Sequence, residues 1–105
     1  MGQFSVHRNK NPRSKAAFPF LVDIQSDLLD ELQTRVVIPL AKALVLTRKP
    51  ISTLSPLLEV EGHQYVLLTP QLSGIAKSDL GPEVTAITNY RDAVIAAVDC
   101  LITGI

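Results

Sequence analysis

Proline, glycine and polar turn residues divide most of this chain into short apolar runs with strand periodicity, and a helical pattern is read only near its C-terminal end. That punctuation predicts a mainly β chain closed by a C-terminal helix. Phe4 and Val6 alternate with polar neighbours from Gln3 to Arg8, the period of a half-buried strand. Asn9 to Ala17 is polar, basic and broken by Pro12, so a mobile loop is expected. A second strand begins near Pro19, with Phe20, Val22 and Ile24 on one side and Leu21 and Asp23 on the other, before a turn at Gln25-Ser26-Asp27. The β-branched run Arg35 to Leu40 reads as a third strand, and Pro39 within it demands an edge, a bulge or a bend. Leu57 to Val60 and Gln64 to Thr69 flank Glu61-Gly62-His63 as a hairpin. Ile75 to Leu80 is a further short strand, after which Gly81-Pro82 reads as punctuation.

Thr88 or Asn89 is placed to cap a helix from about Tyr90 to Ile102, which Gly104 would end. At 100° per residue, Tyr90, Val94, Ala97, Val98 and Leu101 form its packing face. Asp92, Ala96, Asp99 and Thr103 lie opposite, with Ile95 and Ile102 beside them. Those two isoleucines are either flanks of a wide buried face or part of a partner surface.

The 105 residues suit one domain, 1–105, and a hydrophobic share of 47% with only 5% aromatics calls for an aliphatic core. Ten basic and ten acidic residues cancel, so the field expected of a protein that tracks phosphate backbones is missing and nucleic acid is not an expected partner. Neither an h-region nor a membrane-length apolar stretch is present, which predicts a cytoplasmic protein without a membrane partner. Cys100 has no second cysteine to pair with and reads as a packing residue.

Phosphate-binding glycine loops, zinc-spaced Cys and His pairs and nucleophile elbows are all absent from the sequence, so no catalytic residue, cofactor or metal is expected. His7 and His63 lie far apart, and His63 falls in a hairpin turn. Asp23, Asp27, Asp30 and Glu31 match no metal loop and are better read as turn-forming and locally bonded carboxylates. Arg8, Lys10, Arg13 and Lys15 form an acid-free stretch, either a solvated loop or a cradle for an acidic peptide.

Four blocks taken together resemble the CcdB family of toxins from plasmid and chromosomal toxin–antitoxin pairs. They are Gln3-Phe4-x-Val6, the segment Leu21 to Asp30 (LVDIQSDLLD), the segment Arg35 to Ala41 (RVVIPLA) and the final Gly104-Ile105, in the family's order and near its spacing. The resemblance implies an SH3-like antiparallel barrel of the CcdB and MazF type, with a small extra sheet and a C-terminal helix, assembled as a homodimer. It also implies a non-enzymatic toxin that binds the DNA gyrase A subunit, traps gyrase with cleaved DNA, and is neutralised by a CcdA-like antitoxin. Gyrase contacts would fall on Leu28, Leu29, Asp92, Ile95, Ala96, Asp99, Thr103, Gly104 and Ile105. Arg8, Lys10, Arg13, Lys15, Leu44, Arg48 and Lys49 would meet the antitoxin. Thr103 departs from the plasmid members, which carry tryptophan there to stack on a gyrase arginine. An anchor of that kind is typically worth about 2 kcal/mol or more. Two other readings remain: a MazF-like endoribonuclease, which shares the barrel, and a homologue that binds only the antitoxin.

Overall fold

The computed structural model describes residues 2–43 and 52–104. Among the described residues, seven antiparallel strands form one curled sheet, a half-barrel, in the order β4-β5-β3-β2-β1-β7, with β6 branching from β3. Strand β1 spans Ser5–Asn9, β2 Phe20–Asp23, β3 Thr34–Lys42, β4 Leu57–Val60, β5 His63–Leu67, β6 Ser73–Ala76 and β7 Leu80–Ala86, and helix α1 spans Arg91–Thr103. β6 belongs to this same sheet, whereas the resemblance implied a small extra sheet beside the barrel.

β1 begins later than its alternation suggested because Phe4 adopts φ 68°, a left-handed conformation that breaks the extended run. It is also buried on both faces. Val6 joins the main core, while Ser5, His7 and Asn9 are covered on the other side, near a second cluster of Leu21, Val37 and Leu80. β2 splits as its alternation predicts: Phe20 and Val22 enter the main core and Leu21 the second cluster. Phe20 meets Tyr65 of β5 edge to face, with ring centroids 5.3 Å apart.

β3 is central and nevertheless contains Pro39. Its partner on one side is β2, from Val37 to Leu40; on the other, β6 pairs Thr34 to Val37 and β5 pairs Leu40 to Lys42. The Pro39 carbonyl accepts from the Leu68 N–H at 3.0 Å, so the proline's nitrogen also faces that second side, in the gap where one partner ends and the next begins. No ladder bond is forfeited there. The expected hairpin is present with a shorter turn, because His63 already pairs with Val60 in β5, which ends at Leu67 before Thr69 enters a 3-10 turn. Glu61 at φ 51° and Gly62 at φ 80° are the pair of positive angles that lets a two-residue turn follow the strand twist.

The reading of Ile75 to Leu80 as one strand fails. β6 ends at Ala76, a 3-10 turn covers Lys77–Asp79, and Leu80 starts β7. β7 was hidden by Gly81-Pro82, which punctuates nothing here. A Cβ on Gly81 would lie 2.5 Å from the Arg8 carbonyl oxygen, so the glycine permits close approach to β1. Pro82 is tolerated because β7 ends the strand order.

α1 lays Val94 and Ala97 into the main core, with Tyr90 and Val98 packed beside them. Its start differs from the expected cap. Thr88–Tyr90 form a 3-10 turn and Tyr90 takes the N-cap position without a side-chain bond, while its hydroxyl accepts from the Glu59 N–H at 3.2 Å. Gly104 ends the helix at φ 73°, donating to the Cys100 carbonyl at 3.0 Å. Leu101, assigned to the packing face, is 38% exposed because the core beneath the helix stops before its last turn.

Candidate interaction surface

Between β2 and β3 the chain makes a 3-10 turn over Asp27–Leu29 that carries Leu28 almost wholly in solvent, at 94% exposure, with Leu29 and Leu32 half exposed. The turn is held from several sides. The Ser26 hydroxyl accepts from Leu28 N–H at 3.2 Å, and Asp27 accepts from Gln3 N–H at 2.9 Å. Gln25 donates to the Leu29 carbonyl at 3.0 Å and accepts from Val36 N–H at 3.1 Å, which ties the turn to β3. Asp30 closes it, accepting from Arg35 Nη1 at 2.8 Å, and its carbonyl accepts from Lys77 Nζ.

Arg35 is the root of this arrangement. Its side chain is fully buried, with Nε 2.8 Å and Nη2 2.7 Å from Asp23 Oδ2, itself fully buried. The other Asp23 oxygen accepts from Gln25 N–H at 3.0 Å. The local hydrogen bond expected of Asp23 is therefore present, but the buried ion pair with Arg35 was not foreseen. Its only sequence signal was an arginine at the head of an apolar strand. Among the described residues no group of three or more His, Cys, Asp or Glu side chains is arranged to hold a metal.

On α1, Asp92, Ile95, Ala96, Asp99 and Thr103 are all exposed, along one stripe set by their spacing of three and four. Ile102 is the most exposed apolar side chain of the helix at 74%, against 37% for Ile95. It belongs with the stripe although the family positions omit it. Thr103 Oγ1 donates back to the Asp99 carbonyl at 2.6 Å, so its hydroxyl is occupied within the helix. Gly104 is exposed, and Ile105 lies outside the described residues. No hydrogen bond among the described residues joins the leucine turn to the helix. They are linked through the N-terminal segment: Phe4 donates to Asp23 O and accepts from Ile87 N–H, next to Gln3 on Asp27.

The basic segment is folded into hydrogen-bonded turns where a mobile loop was expected. Ser14 and Lys15 N–H both donate to Asn11 O, Phe18 N–H donates to Ser14 O, and Asn9 Nδ2 reaches Ser14 and Phe18. Arg8, Lys10, Arg13 and Lys15 are all exposed. They are not equally free: Arg8 lies over the Phe20 ring at 5.7 Å and Lys10 donates to Ser78 O at 2.9 Å. Leu44, Arg48 and Lys49 lie outside the described residues. Beside Lys10 opens a cleft of about 600 Å³ that sequence reasoning missed, floored by Leu21, Val37, Pro39 and Ile75 and with Lys10 and Asp79 as its charged lining. Its walls come from segments far apart in the chain, so no local pattern announces it. His7 is buried, its Nδ1 2.9 Å from Gly81 O and its Nε2 without a partner among the described residues. His63 is exposed in the hairpin.

A family model described as CcdB protein matches residues 3–104. The chain belongs to the CcdB family. Membership makes it a toxin-type component of a toxin–antitoxin pair. Among solved structures it is similar to an endoribonuclease in complex with its cognate antitoxin from a mycobacterial species, with a TM-score of 0.72 at 14% identity, over 94% of this chain and 91% of that one. That likeness is one of fold. No helix of the described residues is long and apolar enough to cross a membrane.

Proposed function

We propose that this CcdB-family chain acts as a homodimer that binds the DNA gyrase A subunit, traps gyrase with cleaved DNA, and is neutralised by a CcdA-like antitoxin. The observation that carries the reading is the exposure of Leu28, Leu29, Ile95 and the helix end, positions to which the resemblance assigns gyrase contacts. Solvated leucines on a firmly bonded turn suit a surface that a partner covers. The chain supplies binding energy and no catalysis. Poisoning requires only that it prefer a cleavage-competent gyrase state, since differential affinity is what shifts a population. A two-fold dimer presents the surface twice to a two-fold target.

Antitoxin binding is supported by the similar structure, which holds an endoribonuclease with its cognate antitoxin. The folded basic turns at Arg8 to Lys15 offer charge for an acidic segment. RNA cleavage is the second reading, because that similar protein is named an endoribonuclease. Against it, among the described residues the cleft beside Lys10 carries one acid, Asp79, and no histidine in its lining. Calorimetry with a gyrase A fragment, run alongside incubation with a mixed-sequence RNA, separates the two. Gyrase binding with intact RNA is expected; RNA scission without gyrase binding would replace the proposal.

A further inference from the structure

We propose that Arg35 is a positioning residue: through Asp30 it latches the Asp27–Asp30 turn so that Leu28 and Leu29 are presented to gyrase already in their bound arrangement. This rests on the gyrase reading. A large apolar side chain on a loose loop would fold back over nearby apolar surface or sample many positions, and ordering it on binding would cost affinity. Here Leu28 stays in solvent while the backbone beneath it is bonded at every step from Ser26 to Asp30.

The latch has a fixed end and a free end. Asp23 and Arg35 are both fully buried, so the guanidinium cannot swing away from its primary partner. Its remaining nitrogen, Nη1, projects to Asp30, whose carboxylate is half exposed. The planar fork of arginine makes this possible, because one group can hold a buried carboxylate on one edge and reach the surface with the other. Gln25 reinforces it through Leu29 O, and Arg35 Nη2 lies 3.4 Å from Gln25 O. The far side of the turn is held by the N–H of Gln3, immediately before the left-handed Phe4 that redirects the chain toward Asp27. A left-handed phenylalanine is a strained choice, and here it sits beside one of the turn's bonds.

The test uses the full chain and a gyrase A fragment, with Asp30→Ala, Asp30→Asn, Leu28→Ala and the Leu28→Ala/Asp30→Ala pair. Asp30→Ala removes the acceptor for Arg35 Nη1, whereas Asp30→Asn keeps one. Expected are faster hydrogen exchange at the Leu28, Leu29 and Asp30 amides of free Asp30→Ala and a gyrase affinity lower by about tenfold, both restored largely by Asp30→Asn. In the Leu28→Ala background Asp30→Ala should lower affinity less, since only Leu29 is then left to position. A full additive loss in that background would make Asp30 a direct contact and overturn the latch. Unchanged amide exchange in Asp30→Ala would overturn it as well. If the unaltered chain binds no gyrase, the presentation claim falls with the gyrase reading, and the exchange data separately show whether the turn is latched.

Discussion

The leucine turn and the C-terminal end of α1 both hold apolar side chains in water, and they are kept in shape by opposite means. The turn is short and has no regular backbone ladder, so its order comes from side chains: Gln25, Ser26, Asp27 and Asp30, anchored on a buried Arg35–Asp23 pair. The helix end has no such network. Its order is supplied by its own backbone, by Val94 and Ala97 in the core further up, and by the left-handed Gly104. A surface on a turn is thus hostage to distant polar residues, while a surface on a helix is hostage to the packing of the opposite face.

The strongest way to break the turn is at its root. Arg35→Met leaves Asp23 as an uncompensated buried charge and should lower stability by about 3–5 kcal/mol in urea unfolding. Replacing both partners, Asp23→Leu with Arg35→Met, should recover much of that loss; an equally large loss in the double variant would show that the pair's burial is not the cause. On the helix side Val94→Ala should lower stability by about 2 kcal/mol by the same measurement, with the polar network of the turn intact. Gly104→Ala forces a Cβ into a left-handed residue and should cost about 1 kcal/mol, visible as lost helicity in circular dichroism and little change elsewhere. The smallest effect on folding belongs to Leu28→Ala, within about 0.5 kcal/mol, because the side chain contacts water. A loss well beyond that would mean Leu28 supports the fold.

The same contrast explains what could be read from sequence. The Glu61-Gly62 hairpin, the alternation of Phe20, Leu21 and Val22, and the Gly104 stop are local signals, and each is found in place. Pro39 announced a special site but not its nature, since the exchange of β6 for β5 along β3 involves residues some thirty positions away. β7 was missed because Gly81-Pro82 is a turn signal by composition and a close-approach strand by context. Leu101 was misplaced because a helical wheel gives a direction without saying where the core ends. Of the interaction surface, the helical stripe was legible from spacing, whereas the flank position of Ile95 and Ile102 left their exposure open until the structure placed both in solvent. The buried Arg35 was not legible, because only the register that sets β2 beside β3 turns an isolated arginine and an isolated aspartate into a pair.

The central claim is that the exposed end of α1 arms a gyrase poison even with Thr103 where the resemblance leads one to expect tryptophan. A cleavage assay with purified chain, the host's gyrase and supercoiled plasmid, comparing the intact protein with one truncated before Thr103, addresses it directly. The account predicts that the intact chain accumulates protein-linked, cleaved DNA and that the truncated chain does not. Absence of trapped cleavage by the intact chain under conditions where it binds its antitoxin would contradict it.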